Sequence, residues 1–389
     1  MKSNLRHLRV LLAVADQGSI TRAAERCHVS QPAVTQAIRK LERQADTPLF
    51  NRTQQGLFVT PAGASLASRV RRAFALLDPA LTDLAPRLCL TATAPQLQAL
   101  IAMAEAENFT LAARRMGITQ PTVHRAIAQL EQEAECPLFE RTPHGMIGTK
   151  AAGALARAAR LAFAELDQAE ADIADLLGRE VGHIVIGAMP LSRSYILPRA
   201  IARFRMRRPT LPVRALDGPY DDLVAGLRRG EVDFLVGALR DPAPIGDVVQ
   251  HALFDDELVI VAGVHHPLLR QGGISLEELA RFPWVVAMTG TPTRQHFERF
   301  FAPLGKAAPK SLVETGSMVL MRELLRASDH LGFISRLQIE PDLELGIAAK
   351  LPVEVQNATR PIGLTTRSGW VPTRAQAEFL EDIRAAIAE

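Results

Sequence analysis

Ser30-Gln31-Pro32-Ala33-Val34-Thr35-Gln36-Ala37-Ile38-Arg39-Lys40-Leu41-Glu42 is the stretch from which the rest of the chain can be placed. It follows Thr21-Arg22-Ala23-Ala24-Glu25-Arg26 and a break at Cys27-His28-Val29, so it reads as a helix, a tight turn and a second helix. Ser30 is suited to cap the second helix, because its hydroxyl can satisfy an orphan amide of the first turn. Pro32 falls in that turn, where its missing N–H costs nothing. Val34, Ile38 and Leu41 recur at spacings of four and three, one apolar stripe for a core. The other face carries Gln31, Thr35, Gln36, Arg39 and Lys40, side chains of the kind that reach base edges in a major groove or hold phosphate.

The flanks extend the pattern. Leu5-Arg6-His7-Leu8 opens an earlier helix and Gly18-Ser19-Ile20-Thr21 leads into the next. Pro48-Leu49-Phe50-Asn51-Arg52-Thr53 runs through Gly56 to Val59-Thr60-Pro61-Ala62-Gly63. In this order and spacing the chain resembles the LysR-type transcriptional regulators, over nearly its whole length. The resemblance implies a winged helix-turn-helix that binds double-stranded DNA and a C-terminal effector domain shaped like a periplasmic binding protein. It also implies homodimers or homotetramers joined through linker helices, and contact with RNA polymerase. The DNA-binding candidates of this module are Ser30, Gln31, Pro32, Thr35, Gln36, Arg39, Arg52 and Thr53. Arg52 positions the module, Gln31, Thr35 and Gln36 read base edges, and Pro32 sets the approach of the helix.

At 389 residues the chain is too long for one ordinary domain and longer than a usual member of that family. Its 48% hydrophobic and 22% charged residues are ordinary globular values. A net charge of +3 requires any DNA surface to come from local clustering. Cys27, Cys89 and Cys136 show no paired spacing, which fits reduced thiols in a cytoplasmic protein. The apolar run Val10 to Val14 is too short for a signal peptide, and no run reaches membrane-spanning length. No nucleophile elbow, phosphate loop or metal cluster is found, so neither an enzyme nor a cofactor is expected.

The extra length is a repeat at an offset of 89 residues. Ala23-Ala24 returns as Ala112-Ala113, Gln31-Pro32 as Gln120-Pro121, Leu41-Glu42 as Leu130-Glu131, Pro48-Leu49-Phe50 as Pro137-Leu138-Phe139, and Gly56 as Gly145. Two winged modules therefore stand in tandem, a departure from the family's single-module plan. They differ in charge. Residues 1–60 hold nine basic and four acidic side chains, +5, whereas residues 94–150 hold five and six, −1. Ala128 and Gln129 replace Arg39 and Lys40, while His124 and Arg125 replace Thr35 and Gln36. Copy 1 is the better DNA binder on this count. For copy 2 two readings stay open: auxiliary DNA contact through Gln120, His124, Arg125 and Arg141, or a dimerisation or spacing element.

The divisions expected are residues 1–60 for the first winged module, 61–93 for a linker helix and joint, and 94–148 for the second module. Residues 149–179 form a second linker helix and 180–389 the effector domain, giving a multi-domain α plus α/β chain. Leu66, Val70, Ala73, Leu77, Ala80 and Leu84 form one heptad seam, and Leu155, Ala159, Ala162, Leu166, Ala169, Ile173 and Leu176 another. Asp78-Pro79 interrupts the first, and the main dimer contact is expected on the second.

From Val181 short apolar strands alternate with amphipathic helices, as in a sheet of parallel strands. The resemblance implies two lobes, with the chain crossing between them near residue 260 and returning near 335. His265-His266-Pro267-Leu268 matches a family landmark and is weak as a metal site, lacking a third ligand at spacing. Ligands of such folds bind where strands end and helices begin. The effector candidates are Met189, Leu191, Ser192, Arg193, Leu239 and Arg240 from the first lobe, and Thr289, Thr291, Thr293, Arg294, Gly316 and Ser317 from the second. Hydroxyls, helix N-termini and three arginines favour a small organic acid, aromatic ones included. The rival reading is a small-molecule sensor that uses its winged modules for protein contacts.

Overall fold

Three helices, a hairpin and a long helix are laid down twice in the first half of the chain. The computed structural model describes residues 4–54, 56–143, 145–241, 246–356 and 358–388. The chain divides into two units, Met1–His183 and Ile184–Glu389. Copy 1 comprises α1 (Leu5–Gln17), α2 (Ile20–Arg26), α3 (Gln31–Ala45), β1 (Phe50–Thr53), β2 (Gly56–Val59) and the long α4 (Pro61–Leu84). After the short α5 (Leu88–Thr91), copy 2 repeats them as α6 (Ala94–Ala106), α7 (Phe109–Met116), α8 (Gln120–Ala134), β3 (Phe139–Thr142), β4 (Gly145–Gly148) and α9 (Lys150–Leu176).

The repetition extends to polar contacts. Glu42 accepts hydrogen bonds from the amides of Leu49 and Phe50, and Glu131 does the same for Leu138 and Phe139. Asp16 pairs with Arg26 and Arg71, as Glu105 pairs with Arg115 and Arg160. These contacts fix each wing to its recognition helix and each first helix to its long helix.

The long helices find their partners inside the chain. Arg72 meets Glu165, while Arg69, three residues earlier, meets Asp172 as well as Glu165 and Gln168. As the α4 number falls the α9 number rises, so the two helices run antiparallel. Leu66, Val70, Ala73 and Leu77 are buried together with Leu155, Ala159, Ala162, Leu166, Ala169 and Ile173, in one core that continues through both modules. Most of the second seam, on which a dimer contact is expected, is covered within this chain by α4, while Leu176 at its end stays exposed.

Pro79 does not interrupt α4, which runs through it to Leu84. Pro79 and Ala75, whose carbonyl loses its i+4 donor, both lie on the exposed face; water satisfies such a carbonyl there. The Asp78 carboxylate takes both arms of Arg9 at 2.6 and 3.0 Å.

In the second unit, β5 (Ile184–Ala188), β6 (Val213–Leu216) and β7 (Phe234–Ala238) are parallel. Alternation divides their side chains between two layers. Ile184, Ile186, Phe234 and Val236 pack with α10 (Leu197–Arg207) and α16 (Arg374–Ala388), while Val185 and Leu235 pack with α11 (Tyr220–Arg229). The second lobe repeats the scheme with parallel β9 (Trp284–Val286), β10 (Leu312–Glu314) and β11 (Leu331–Ser335). Its helices are α12 (Leu276–Ala280), α13 (Pro292–Phe301), α14 (Met318–Ala327) and α15 (Arg336–Glu344), and a short β12 (Ala348–Lys350) joins its sheet.

Two strands tie the lobes together and make the sheet mixed rather than all parallel. β8 (Val248–Gly263) pairs antiparallel with β13 (Thr359–Arg367) over Val248–Glu257, then with β11 from Leu258 onward. The outward crossing thus falls near the expected residue 260. The return does not fall near 335. After Ser335 the chain stays in the second lobe to build α15 and β12, with Ile339 and Ala348 in that lobe's core, and goes back only at β13.

Candidate nucleic-acid interface and effector cleft

The exposed face of α3, the candidate reader, is held by its own start. Ser30 adopts extended backbone and its Oγ accepts from the Ala33 amide, a cap worth about 1 kcal/mol. Its hydroxyl is engaged there, so Ser30 supports the face. Val34, Ala37, Ile38 and Leu41 are buried, leaving Gln31, Pro32, Gln36, Arg39 and Lys40 exposed and Thr35 half-buried. The Thr35 hydroxyl donates to the Gln31 carbonyl. Gln31, Pro32, Thr35, Gln36, Arg39, Arg52 and Thr53 line one groove of about 1470 Å³ between recognition helix and wing.

Charge is distributed unevenly within copy 1. Arg22, Arg39, Lys40, Arg43 and Arg52 are exposed and meet no carboxylate among the described residues. Arg9 and Arg26 are instead held by Asp78 and Asp16, and Arg9 also lies 4.0 Å over the Phe74 ring. Burial, with Lys40 and Arg6 nearby, holds the His7 imidazole below its usual pKa.

Copy 2 presents the same shape with other side chains. Gln120, His124 and Arg125 are exposed along α8 and Arg141 along β3. The His124 ring lies 5.2 Å from that of Phe109. Arg114, Arg125 and Arg141 meet no carboxylate among the described residues.

In the second unit the strand ends of β5, β6 and β7 bring Met189, Tyr220 and Arg240 to one place. Arg240 lies 4.2 Å over the Tyr220 ring, and its Nη1 donates to the Gly290 carbonyl of the other lobe at 3.2 Å. Gln250 clasps its backbone, accepting from the amide and donating to the carbonyl. The Leu239 amide donates to Pro361. Beneath lies a buried network. Arg360 donates to Asp256 through Nε and Nη2 and to the Thr293 hydroxyl through Nη1, and Ser335 donates to Asp256. Burial raises the Asp256 carboxyl pKa while Arg360 and Ser335 oppose the rise.

Several sequence candidates do not face this cleft as free groups. Leu191 packs in the first lobe's core, and the buried Ser192 hydroxyl donates to Met189. Met189 is buried against Gly237, where an added Cβ would lie 2.5 Å from its own Cβ. Arg193 pairs with Asp217, and Arg294 pairs with Glu298 and Glu314. Thr289 donates to Glu314, Thr291 caps α13, and Ser317, next to the exposed Gly316, caps α14. His266, in the landmark, uses Nδ1 to accept from Leu268 and so caps a short helical turn.

Comparison with known proteins places the whole arrangement. The profile of the bacterial regulatory helix-turn-helix protein, lysR family, matches twice, at residues 5–64 and 95–153. The LysR substrate binding domain matches residues 177–388. The HTH-type transcriptional regulator GalR of Pseudomonas putida (KT2440) is 35% identical over 389 residues, 99% of this chain and 98% of its own. The chain belongs to the LysR family. It is a DNA-binding transcriptional regulator with a ligand-responsive domain, and not an enzyme. PcaQ of Agrobacterium fabrum (C58) is 28% identical over 75% of this chain and 94% of its own. A full-length OxyR variant from Pseudomonas aeruginosa shares the fold, at 20% identity and a TM-score of 0.53, over 75% of this chain and 93% of that one. About a quarter of the present chain thus lies outside these last two matches, close to the length of one winged module with its long helix.

The residues around Arg240 that sequence reasoning missed are Tyr220 and Gln250, with Asp256, Ser335 and Arg360 in the buried network beneath them. Asp256 and Arg360 are 104 residues apart, and no local spacing joins them. One signal was present: Asp255-Asp256-Glu257 inside an otherwise apolar strand pattern, since a strand interior carries charge only where a partner meets it.

Proposed function

We propose that copy 1 is the principal base reader of this regulator and that its cleft takes a small organic acid. The observation that carries the first part is the convergence of Gln31, Thr35, Gln36, Arg39 and Arg52 on one groove. Phosphate is gripped from the groove's edges by Arg39 and Arg52, while the amide and hydroxyl groups between them face base edges. Copy 2 adds contact through Gln120, His124, Arg125 and Arg141. The protein-contact reading would leave five exposed cations without a role.

For the effector, Arg240 supports an anion: it stands at the strand ends, reaches across to the second lobe and, among the described residues, has only a neutral carbonyl as its hydrogen-bond partner there. Tyr220 beside it offers a ring face, which suits aromatic acids as well as aliphatic ones. Ligand bound between the lobes shifts a pre-existing equilibrium of the effector domain, altering the engagement of promoter DNA and of RNA polymerase in the cytoplasm. No helix among the described residues is long and apolar enough to cross a membrane.

The test is a DNase footprint of the full chain on the DNA upstream of its own gene. Protection is expected from the native protein and loss of at least tenfold in affinity from Gln31→Ala, Gln36→Ala. An unchanged footprint would remove copy 1 as the reader.

A further inference from the structure

Resting on that DNA-reading assignment, we propose that one chain carries a complete two-headed reader. Its α4 and α9 join the winged modules about an internal pseudo-two-fold axis, so a single chain covers two unlike half-sites of one duplex in a fixed order.

The axis follows from the repeat. The offset of 89 residues carries Phe74 onto Phe163, both buried in the shared core. The antiparallel register that joins Arg72 to Glu165 sets Phe74 opposite Phe163, the point where each helix meets its own equivalent. Contacts far from that point follow the same plan without strict equivalence of the arginines, since the offset carries Arg87 onto Leu176 and Leu90 onto Arg179. Arg87, just after α4, donates to the last carbonyls of α8 and pairs with Glu135. Arg179, just after α9, pairs with Asp46 at the end of α3. Asp46 and Glu135 are themselves repeat equivalents, each ending its helix in the left-handed region.

A two-fold rotation leaves height along its axis unchanged, so the reading faces of α3 and α8 stand on the same side of the seam. Duplex DNA has dyads normal to its own axis and can meet both. From Phe74 back to Pro61, and from Phe163 back to Lys150, each helix runs about 13 residues, or roughly 20 Å at 1.5 Å per residue. The modules are therefore attached about 40 Å apart, comparable to the 34–36 Å of one DNA turn that separates half-sites.

The seam also says which helices pair. Arg69 and Arg72 lie on α4, and Glu165, Gln168 and Asp172 on α9. The repeat equivalents of Glu165 and Gln168 are Leu76 and Pro79, and those of Arg69 and Arg72 are Ala158 and Leu161. Two α9 helices from separate chains would bury Glu165 against Ala158 and Leu161 with no base. Two α4 helices would bring Asp83, the equivalent of Asp172, towards each Arg69, but would leave Arg69 and Arg72 of both chains without Glu165 and Gln168. A buried charge stripped of its partner is strongly destabilising, so unlike helices are selected. The short joint at residues 85–93 supplies the unlike helix from the same chain at high effective concentration.

Because the heads differ, Thr35-Gln36 and Arg39-Lys40 against His124-Arg125 and Ala128-Gln129, the half-sites differ too. The bound chain then has one direction on DNA.

Two measurements on the full chain test this. In the first, Cys27, Cys89 and Cys136 become Ser, the exposed pair Asp46→Cys and Arg179→Cys is introduced, and a short bis-maleimide is added. The expected product has the mass of one chain plus one linker. A product of two chains, or no link at all, overturns the intrachain pairing. In the second, duplexes are selected from a random 40-bp pool. Two unlike half-sites about 10 bp apart are expected, and Gln120→Ala, His124→Ala, Arg125→Ala should relax one of them and cost about tenfold in affinity. A palindrome, or a motif that this variant does not move, overturns the two-headed reader while leaving copy 1 as a reader. No enrichment overturns the DNA-reading assignment as well.

Discussion

Of the three arginines that the strand ends and helix starts suggested for an acid ligand, Arg240 alone meets no carboxylate among the described residues. Arg193 and Arg294 bring their neutralising partners with them, so an incoming carboxylate gains little from either. Burial lowers the Arg240 pKa from an already very high value, opposed by Tyr220 and Asp221, and the group keeps its charge. A charge-assisted hydrogen bond to a ligand contributes about 1.5–3 kcal/mol. Small carboxylates that raise the thermal midpoint of the native protein should therefore bind at least tenfold more weakly to Arg240→Ala, measured by calorimetric titration. Their primary amides should fail with both proteins. An amide that binds as well as its acid would show that the cleft selects something other than charge.

At the scale of elements, Glu165 decides what α9 can pack against. It is buried between Arg69 and Arg72, so Glu165→Ala should lower stability by about 3 kcal/mol, read from the urea midpoint of the first unit's transition. The double change Arg69→Met, Glu165→Leu should restore most of that loss, yet remove the discrimination against like helices. Light scattering at rising concentration should then show additional chain association. The same helices show what a sequence can and cannot reveal. The α3 stripe of Val34, Ile38 and Leu41 is local, so periodicity places both the helix and its exposed face. The two heptad seams reveal that each long helix needs an apolar partner, and they are silent on which one. That choice depends on ion pairs between residues about a hundred positions apart. The hinge strands were hidden for a related reason. Pro361 and Gly363 sit inside β13, and Asp255-Asp256-Glu257 inside β8, which is unlike an isolated strand. Tertiary pairing across the lobes overrides that local preference, with Arg360 held against Asp256.

For the whole molecule, the unequal heads predict an unequal division of electrostatic work. Copy 1 offers Arg22, Arg39, Lys40, Arg43 and Arg52 without carboxylate partners among the described residues, and copy 2 offers Arg114, Arg125 and Arg141. Each phosphate neutralised contributes about −0.9 to the slope of log K against log salt. If most of these cations engage, the full chain on its selected duplex should show a slope of roughly −5 to −7. Fluorescence anisotropy over a range of salt gives that number directly. Arg39→Ala, Arg52→Ala should flatten the slope by about 2, and Arg141→Ala by about 1. Changes to the amide readers Gln31 and Gln36 should instead weaken binding with the slope held, because they release no counterions. These outcomes separate anchoring from reading within one protein. A slope that stays fixed when Arg39 and Arg52 are removed would mean that copy 1 is not the anchoring head, whatever its net charge.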